Sequence, residues 1–433
     1  MSDWKPVRIE QLCLQINRGA SPVYKDGARN KVVNQACIYW DIFKSENRKD
    51  VDELWFNSLL KIKKCTKGDI LLNSTGTGTL GRACIYPLNE ESAFDGHVTL
   101  IRTNPAVSDH RFVFYLIQHD PNNQNIQLNC VSGSTNQIEL NVSAFRKFVL
   151  NVPDKRIQCK VADILEVVDL TISKTTGTIT KLEKIKTGLM QDLFTRGIDA
   201  SGKLRPPASE RPDLFKESPL GLVPSDWRVP VLHEQKIAII DGDRGENYPK
   251  NSDLLPSGFC LFLSAENVTK RGFEFVNCQF INRTRDELLR KGKLKRNDII
   301  LTTRGTVGNF AHYSDEVPFD EVRINSGMVI LRNTDAAIDT QFLYAALRNW
   351  IFDIEFRKVV SGSAQPQLPI KDFRKFHLLV PTLNEQRAVL ERIDQINKAI
   401  ETEMAALRKH ERQKLGLMQD LLTGRKPVVV THG

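Results

Sequence analysis

Two long stretches of the chain place apolar residues at alternating steps of four and three positions. In the first, ten such positions lie between 161 and 193, and eight of them are apolar. The same register recurs between 389 and 421, where seven of ten are apolar. This spacing is typical of a coiled-coil seam. It predicts two long helices, over 152–195 and 380–423, that pack on each other.

The two helical stretches are also copies of one another. Residues 188–195 read Gly-Leu-Met-Gln-Asp-Leu-Phe-Thr, and residues 416–423 repeat this with one change. When residues 152–195 are aligned with residues 380–423 without gaps, 15 of the 44 positions carry identical residues. The match extends upstream to a Phe-Arg-Lys-Phe motif in each copy, and both copies open on Ser-Asp-Trp. A self-match of this length indicates an internal duplication.

Each copy is therefore predicted to be a globular part followed by a long helix. The globular parts share a strand-like run, at 69–72 and 298–301, that ends in a Gly/Thr turn. Each then has a short amphipathic helix, near 109–119 and 339–350. The expected fold class is α+β, with two duplicated α/β globular parts joined by two long helices that form an antiparallel coiled coil. The apolar pattern alone would also fit a parallel pair. A helix of about 40 residues spans about 60 Å, so the globular parts are expected about that far apart or somewhat less.

This organisation predicts six segments along the chain. They are a first globular domain (1–150), the first long helix (151–197), a proline-rich linker (198–224), a second globular domain (225–379), the second long helix (380–424) and a tail (425–433).

The predicted ends of the long helices carry capping signals. Thr382 and Glu385 have the spacing of a capping box at the start of the second helix. Gly197 and Gly424 stand where C-terminal caps belong. Gly177 is expected to bend or loosen the first helix, at a cost of about 1 kcal/mol.

Charge and cysteine usage add little that is specific. Lysine and arginine exceed aspartate and glutamate by 61 to 52, for a net charge of +9, which suits a polyanionic partner without requiring one. The eight cysteines form no Cys-x-x-Cys pair, so buried free thiols are expected. No run reaches the ~18 apolar residues of a membrane span and no secretory signal layout is present, which favours a cytoplasmic protein.

Two glycine-rich segments resemble nucleotide-binding motifs only in spacing. Residues 76–81 match Gly-x-Gly-x-x-Gly, but a strand-like segment and Pro87 follow where a dinucleotide site needs a helix, so a hairpin turn is predicted. Residues 197–203 have P-loop spacing but end at Leu204, without the hydroxyl that holds Mg²⁺, and are predicted to be linker. No catalytic motif and no cluster of metal ligands is found, so neither a catalytic centre nor a metal site is expected.

The Gly/Ser-rich loops ahead of the Phe-Arg-Lys-Phe motifs are better candidates for ligand contact. Small hydroxyl and amide residues on a glycine-bent backbone suit phosphate or base-edge contacts, although ordinary polar turns would look the same. The candidates in these loops and motifs are Ser132, Ser134, Asn136, Gln137, Arg146 and Lys147 in the first copy, and Ser361, Ser363, Gln365, Gln367, Arg374 and Lys375 in the second.

Taken together, the duplicated layout and the two Gly-Leu-Met-Gln-Asp-Leu-x-Thr helix ends resemble the specificity subunit of type I restriction-modification systems. The linker around 196–199 and 204–206, and the Ser-Pro-Leu-Gly-Leu-Val-Pro sequence before the second copy, are similar to that family too. The resemblance spans essentially the whole chain. It is specific in the helical repeats and holds only in outline in the globular parts.

The resemblance implies a non-catalytic reader of double-stranded DNA. Each globular part would be a target recognition domain that contacts one half of a bipartite, asymmetric site. The paired helices would set the distance between the halves and hold two methylation subunits, and restriction subunits would join this core. S-adenosylmethionine, ATP and Mg²⁺ would belong to those partners, and this chain would bind none of them.

If the copies read different half-sites, residues that both share cannot carry the difference. Shared residues are then assigned to phosphate contact, turn geometry or folding. Base reading is expected on divergent segments, 18–31 against 241–250 and 75–79 against 304–306. Arginine can pair with both acceptors of a guanine, so Arg304 is the sharpest candidate, with a salt bridge across its turn as the alternative. The candidates in the two turns are Thr75, Thr77, Thr79, Arg304 and Thr306.

The repeated helix ends also recur at positions off the seam, which an isolated pair of helices does not explain. A methylation subunit docked on each end would preserve them, whereas a recent duplication is the plainer alternative. The docking candidates are Met190, Gln191, Asp192, Met418, Gln419 and Asp420. Two other functions stay open at this point: a coiled-coil scaffold with no DNA role, and a stand-alone DNA-modifying enzyme, which the missing motifs disfavour.

Overall fold

The computed structural model describes residues 4–133, 138–359 and 367–428. The chain forms two compact units, and they do not coincide with the two sequence copies. The first unit comprises residues 1–177 and 403–433, and the second comprises residues 178–402. Since the boundaries fall inside the long helices, each unit contains one globular part together with a portion of both helices.

The first unit is built on an antiparallel sheet in which Val98–Thr103 lies between Cys13–Arg18 and Ile70–Asn73, and Ala83–Ile85 forms the far edge. Beside it, a second four-stranded sheet contains one parallel pair, Asn30–Val33 with Ser92–Phe94. The remaining strands are Lys5–Arg8, Ile38–Tyr39, Ile42–Phe43, Lys49–Val51, Lys64–Cys65, Val131–Ser132, Glu139–Leu140 and Val149–Val152, and the short helices are Glu53–Ser58, His110–Gln118, Asp120–Asn129 and Val142–Arg146.

The second unit repeats this topology. Met328–Asn333 lies between Ile237–Asp241 and Ile299–Thr302, with Phe310–His312 at the far edge. The second sheet again contains a parallel pair, Cys260–Leu263 with Val322–Ile324. The remaining strands are Phe215–Lys216, Val223–Pro224, Val268–Thr269, Gly272–Phe273 and Phe280–Ile281, and the short helices are Arg283–Leu288, Thr340–Leu347, Trp350–Val359 and Ile370–Phe373.

The central strand predicted in each copy is confirmed, one residue later than expected. Ile70–Asn73 and Ile299–Thr302 are buried at every position. A continuous apolar run forms there because the strand is covered on both faces. An aspartate just ahead of each strand is buried and ion-paired, Asp69 with Arg102 at 2.6 Å and Asp298 with Arg332 at 2.7 Å.

The predicted short helices are present as His110–Gln118 and Thr340–Leu347. Asp109 and Asp339 cap them by accepting hydrogen bonds from backbone N–H groups. A second helix follows each one, at Asp120–Asn129 and Trp350–Val359, which the sequence pattern did not predict.

A buried glutamine ties the start of each long helix to the neighbouring short helix. The Gln158 side-chain oxygen accepts the Asp109 N–H at 3.1 Å, and the Gln386 oxygen accepts the Asp339 N–H at 2.7 Å. The two glutamines occupy equivalent positions of the repeat. The duplication is thus visible in single hydrogen bonds.

The long helices are Lys155–Thr195 and Leu383–Leu421, and the first runs unbroken through Gly177. All twenty predicted seam positions are buried or half-buried. In the first unit, Leu165 of the first helix shares a core with Leu421 of the second. In the second unit, Leu193 of the first helix shares a core with Val389 of the second. The start of each helix therefore lies by the end of the other, so the helices are antiparallel as predicted.

Each long helix ends at a left-handed glycine. Gly197 has φ 63° and Gly424 has φ 70°, which confirms both as C-terminal caps. A Cβ atom on Gly197 would lie 2.4 Å from Trp227, and one on Gly424 would lie 2.6 Å from Trp4. Each helix end therefore meets the tryptophan that opens the other copy.

The predicted capping box is only half formed. The Thr382 hydroxyl accepts the Glu385 N–H at 3.4 Å, as a cap should. The Glu385 carboxylate instead turns into the protein, where it accepts the Ile198 N–H at 2.8 Å and the Trp227 indole N–H at 3.0 Å. It also pairs with the buried Arg205 guanidinium at 2.5 Å. Glu385 thereby holds the linker on the second unit.

All eight cysteines are free thiols, five of them buried and three partly buried. Burial raises the pKa of Cys37 to about 11 and of Cys13 to about 12. Among the helices of the described ranges, none combines the length and the apolarity that crossing a bilayer demands.

Candidate nucleic-acid interface

The glycine-rich segment of the first unit is a hairpin turn, as predicted. It joins the antiparallel strands Ile70–Asn73 and Ala83–Ile85. Gly76, Gly78 and Gly81 have φ values of 88°, 83° and 91°, a conformation that side chains disfavour. No helix follows the turn, so its amide groups do not form a dinucleotide cradle.

This turn lies against the end of the Gly/Ser loop. The Gly76 N–H donates to the Ile138 carbonyl at 3.1 Å, and the Leu140 N–H donates to the Ser74 carbonyl at 2.7 Å. Ser132 is exposed. Ser134, Asn136 and Gln137 lie outside the described residues.

The same two elements meet in the second unit. The Leu368 N–H donates to the Thr303 carbonyl at 3.0 Å, and Arg304 forms an isolated bridge with Gln367. Ser361, Ser363 and Gln365 lie outside the described residues. Segments that are distant in sequence are thus neighbours in each copy, at equivalent places.

The side chains of the two turns differ in whether they form internal hydrogen bonds or are exposed to solvent. In the first unit Thr75 bonds to the His97 ring at 2.9 Å, and the Thr79 hydroxyl donates to the Thr75 carbonyl at 2.7 Å. Both therefore brace the turn, whereas Thr77 is exposed. In the second unit, Arg304 and Thr306 are both exposed.

Arg304 is not used in an ion pair. With the Gln367 amide oriented so that its oxygen faces Arg304, that oxygen accepts from Nε and Nη2 at 3.0 Å each. Within the described ranges no carboxylate lies within the 4.0 Å of a salt bridge to Arg304, so the alternative of a salt bridge across the turn is wrong. A guanidinium held by a neutral amide keeps its charge available for an outside acceptor.

The divergent segments 18–31 and 241–250 also reach these turns. In the first unit Arg18 forms an ion pair with Glu139, and the Lys63 ammonium donates to the Gly19 carbonyl at 3.1 Å. Burial lowers the pKa of Arg18. In the second unit Arg244 reaches the Ser326 carbonyl at 3.4 Å, beside Gly327, whose own carbonyl accepts the Arg304 N–H at 3.2 Å.

The Phe-Arg-Lys-Phe motifs recur largely for packing reasons. Phe145 and Phe373 are buried in the two cores. The arginines and lysines between the aromatic residues, Arg146, Lys147, Arg374 and Lys375, are exposed. Two of them have internal contacts, since Arg146 donates to the Ile16 carbonyl and Lys375 lies 3.1 Å from Asp372.

The first unit also presents exposed aromatic residues that sequence reasoning missed. Tyr39 and Trp40 lie on a small hairpin and are each 43% exposed. The Arg82 guanidinium lies 5.0 Å from the Tyr39 ring and donates to the Gly78 carbonyl at 2.6 Å, which links this hairpin to the glycine turn. Aromatic faces can stack on bases. The detectable signal was the Ile-Tyr-Trp run between polar segments.

The repeated helix ends are not uniformly exposed. Met418 is buried, and the Gln419 side-chain oxygen lies 3.1 Å from the His119 ring nitrogen. Asp420 pairs with Lys426 at 3.3 Å, and Asp192 pairs with Arg196 at 3.0 Å. Met190 is half-buried, and only Gln191 and Gln419 are exposed. Core packing therefore accounts for the recurrence of the methionine position in the first unit.

The turns and loops of both units offer a polar and basic contact surface. Among the described residues, no three histidine, cysteine or carboxylate side chains group as metal ligands. The exposed hydroxyl, amide and basic groups on these turns and loops are of the kinds that contact phosphates and base edges.

Several known proteins are similar to this chain over most of its length. The chain is 25% identical over 395 residues to a putative type I restriction enzyme MjaX specificity subunit of Methanocaldococcus jannaschii, covering 88% of this chain and 85% of that protein. It is 29% identical over 289 residues to the type I restriction enzyme MjaVIII specificity subunit of the same organism, covering 65% of this chain and 63% of that protein. The EcoBI specificity subunit of Escherichia coli is 19% identical over 76% of this chain and 71% of its own length.

Solved structures share the fold. The type I restriction-modification S subunit from M. genitalium superposes with a TM-score of 0.55 at 16% identity, over 97% of this chain and 96% of that one. A chain from a structure that addresses complex assembly and conformational transition of the type I restriction-modification system superposes with a TM-score of 0.57 at 15% identity, over 97% of both chains. The model of the type I restriction modification DNA specificity domain matches residues 1–184 and 236–409. This chain therefore belongs to the type I restriction-modification specificity subunits, the non-catalytic, DNA-recognising members of those systems.

Proposed function

We propose that this chain reads a bipartite, asymmetric DNA site, with one globular part for each half-site. It directs adenine methylation or restriction by partner subunits that carry the catalytic groups. Two methylation subunits and the restriction subunits are the proposed partners, and S-adenosylmethionine, ATP and Mg²⁺ are bound by them.

The observation that carries this proposal is one arrangement, present twice, with different side chains. In each unit a turn after the central strand adjoins the end of a Gly/Ser loop. The first turn presents Thr77, and the second presents Arg304 and Thr306. A shared arrangement of turn and loop that presents different side chains is what two readers of different half-sites need.

Exchange of one globular part tests the division of labour. Residues 1–150 are replaced by the equivalent part of another specificity subunit, and methylated adenines are mapped in DNA from cells that also carry the methylation subunit. We expect one half of the recognised site to change and the other half and the spacing to stay. The reciprocal exchange of 225–379 is the matched control and should change only the other half. A change in both halves from either exchange contradicts the proposal.

Binding to duplex DNA should also weaken steeply with salt, because released counterions dominate affinity for the phosphate backbone. The measurement is the dissociation constant of the complex with the methylation subunit across a series of salt concentrations. A dissociation constant that does not change with salt, or a failure to bind duplex DNA at all, would favour a scaffold role instead.

A further inference from the structure

One exposed histidine lies against the glycine turn of the first unit. His97 follows the strand Ser92–Phe94, and its backbone carbonyl accepts the Ser74 N–H at 2.9 Å. Its own N–H donates to the Asp95 carboxylate at 2.9 Å, which fixes the backbone beside the turn. The ring is bonded through Nδ1 to the Thr75 hydroxyl at 2.9 Å. The imidazole is thus held at the surface, next to the place where the turn meets the end of the Gly/Ser loop.

The hydrogen bonds around Thr75 determine which ring nitrogen of His97 carries the proton. The half-buried Gln35 amide nitrogen donates to the Thr75 carbonyl at 2.8 Å, and since a carbonyl can only accept, the amide orientation is fixed. With its second hydrogen this nitrogen donates to the Thr75 hydroxyl oxygen. Among the described residues the hydroxyl proton has no acceptor other than His97 Nδ1, so Nδ1 accepts it. A neutral imidazole that accepts at Nδ1 carries its proton on Nε2.

The Nε2–H group of His97 is therefore a donor that remains available. Within the described ranges, the bond to Thr75 is the only hydrogen bond that the exposed ring makes. Two carboxylates nearby are already engaged. Glu139, which forms a backbone bridge with Thr75, is paired with Arg18, and Asp95 is 5% exposed and bonded to the loop backbone. An acceptor from outside the chain can use the free donor.

The second unit fills the equivalent place from the neighbouring element. Arg304 occupies the turn position of Thr75, since each forms the bridge to the end of the Gly/Ser loop. Gly327 occupies the position of His97, since the carbonyl of each accepts the N–H of the residue before that turn position, at 2.8 and 2.9 Å. The exposed donor side chain therefore comes from the turn in the second unit and from the adjoining loop in the first.

Each unit presents one such side chain, and a neutral group orients it. The Gln367 amide orients Arg304, as the Thr75 hydroxyl orients His97. A Cβ atom on Gly327 would lie 3.7 Å from the Arg304 Cβ, so a longer side chain there would extend beside the arginine. A residue that differs between the copies suits base reading, because phosphate contacts carry no sequence information.

We propose that His97 reads a base in the half-site contacted by the first globular part, with Nε2–H donating to an acceptor on the base edge. On the major-groove edge guanine offers two adjacent acceptors and adenine and thymine offer one each, whereas cytosine offers a donor. The single donor of His97 therefore discriminates against cytosine. Thr75 and Gln35 act as positioning residues for the ring. This inference rests on the proposed reading of DNA and assigns a residue to it.

Substitution of His97 tests this reading in the full-length chain with its methylation subunit. Binding is measured to duplexes that carry each alternative base pair at every position of the half-site that exchange of residues 1–150 changes. We expect His97→Ala to reduce discrimination at one position about five- to tenfold, the effect of one lost hydrogen bond, and to leave the other half-site unchanged. His110→Ala is the matched control and should behave like the wild type, because His110 lies beside Gly68, at the opposite end of the central strand.

Arg304→Ala should by contrast reduce discrimination only in the half-site of the second globular part. Full discrimination by His97→Ala overturns the proposal. Equal weakening of all duplexes also overturns it, since that result indicates a phosphate contact. Reduced discrimination in both half-sites contradicts it as well, since that result indicates a general loosening of the fold.

A pair of conservative variants tests the positioning role of Thr75. Thr75→Val removes the hydroxyl at nearly constant size, and it should reduce discrimination at the same position as His97→Ala does. Thr75→Ser keeps a hydroxyl and should discriminate like the wild type. Equal discrimination by the two variants overturns the relay through Thr75.

The tautomer of His97 is measured without DNA. The chain is prepared with isotopically labelled histidine, and the ring nitrogens are observed by NMR, with the His97 signals assigned by their loss in His97→Ala. We expect an unprotonated Nδ1 and a protonated Nε2 in the neutral ring, and the reverse overturns the proposal. Specific recognition that His97→Ala does not change refutes this inference alone. Failure of the wild-type complex to recognise a bipartite site refutes the proposed function itself, whichever tautomer is found.

Discussion

At the scale of single residues, Glu385 joins three parts of the chain. Its carboxylate accepts hydrogen bonds from the linker backbone at Ile198 and from the Trp227 indole, and it pairs with Arg205. The side chains of Glu385 and Arg205 are 5% and 9% exposed. A buried charge that loses its partner is strongly unfavourable, so this contact is a point of fragility.

We therefore predict that Glu385→Ala lowers the free energy of unfolding of the second unit by about 3–5 kcal/mol. The buried Arg205 guanidinium would keep only its pair with the more exposed Asp226, at 2.9 Å, and the N–H groups of Ile198 and Trp227 would lose their acceptor. Urea denaturation followed by tryptophan fluorescence measures the change, since Trp227 lies at the site. Glu210→Ala removes an exposed carboxylate from the same linker and should cost no more than about 0.5 kcal/mol. Equal effects of the two substitutions would show that the Arg205 pair is not structural.

At the scale of elements, glycines in the long helices have opposite roles. Gly424 is left-handed, and a Cβ atom there would lie 2.6 Å from Trp4 Nε1. Gly177 lies inside the first helix, and a Cβ atom there would meet no other atom within 4 Å. One glycine is required by geometry and the other is not.

Alanine substitution should separate these roles. Gly424→Ala is expected to destabilise the chain by at least about 1–2 kcal/mol, the cost of a left-handed alanine, before Trp4 is displaced. Gly177→Ala should stabilise it by about 0.5–1 kcal/mol, because alanine loses less backbone entropy in a helix. Thermal melts of the full-length chain show whether each substitution raises or lowers the melting temperature. A melting temperature lowered by Gly177→Ala would mean that the glycine is needed where the helix crosses between units.

These elements also show which features the sequence could predict. The seams and the Gly/Thr turns were predictable because periodicity and glycine spacing are written in adjacent residues. The helix Asp120–Asn129 was missed because its residues are mostly polar, and packing of Ile126 rather than propensity stabilises it. The meeting of turn and Gly/Ser loop depends on residues distant in sequence. Contact of the candidate residues with DNA stays a prediction.

At the scale of the whole molecule, neither sequence copy folds around its own residues alone. Met418, Leu421 and Leu422, from the second copy, belong to the core of the first unit. Leu193 and Phe194, from the first copy, belong to a core of the second unit, where the Phe194 ring lies 5.6 Å from that of Phe342. Each globular part is completed by the helix end of the other copy.

A substitution at the far end of the chain should therefore loosen its beginning. We predict that Leu421→Ala costs about 2–5 kcal/mol and speeds hydrogen exchange in the strands of the first unit, which are distant from it in sequence. Leu415→Ala, at a position 61% exposed on the same helix, is the control and should leave exchange unchanged. Faster exchange confined to the second unit would contradict this dependence.

The contact between each helix end and the opposite globular part bears on how such a chain can evolve. A globular part acquired by recombination must fit a helix end that it did not bring with it. Because both ends read Gly-Leu-Met-Gln-Asp-Leu, either one presents nearly the same surface to a newcomer. Selection for such a shared surface would keep the two helix ends alike while the exposed turns and loops diverge. If each globular part reads its own half-site, as proposed, exchange of one part would give a new combination of half-sites while the helix ends stay unchanged.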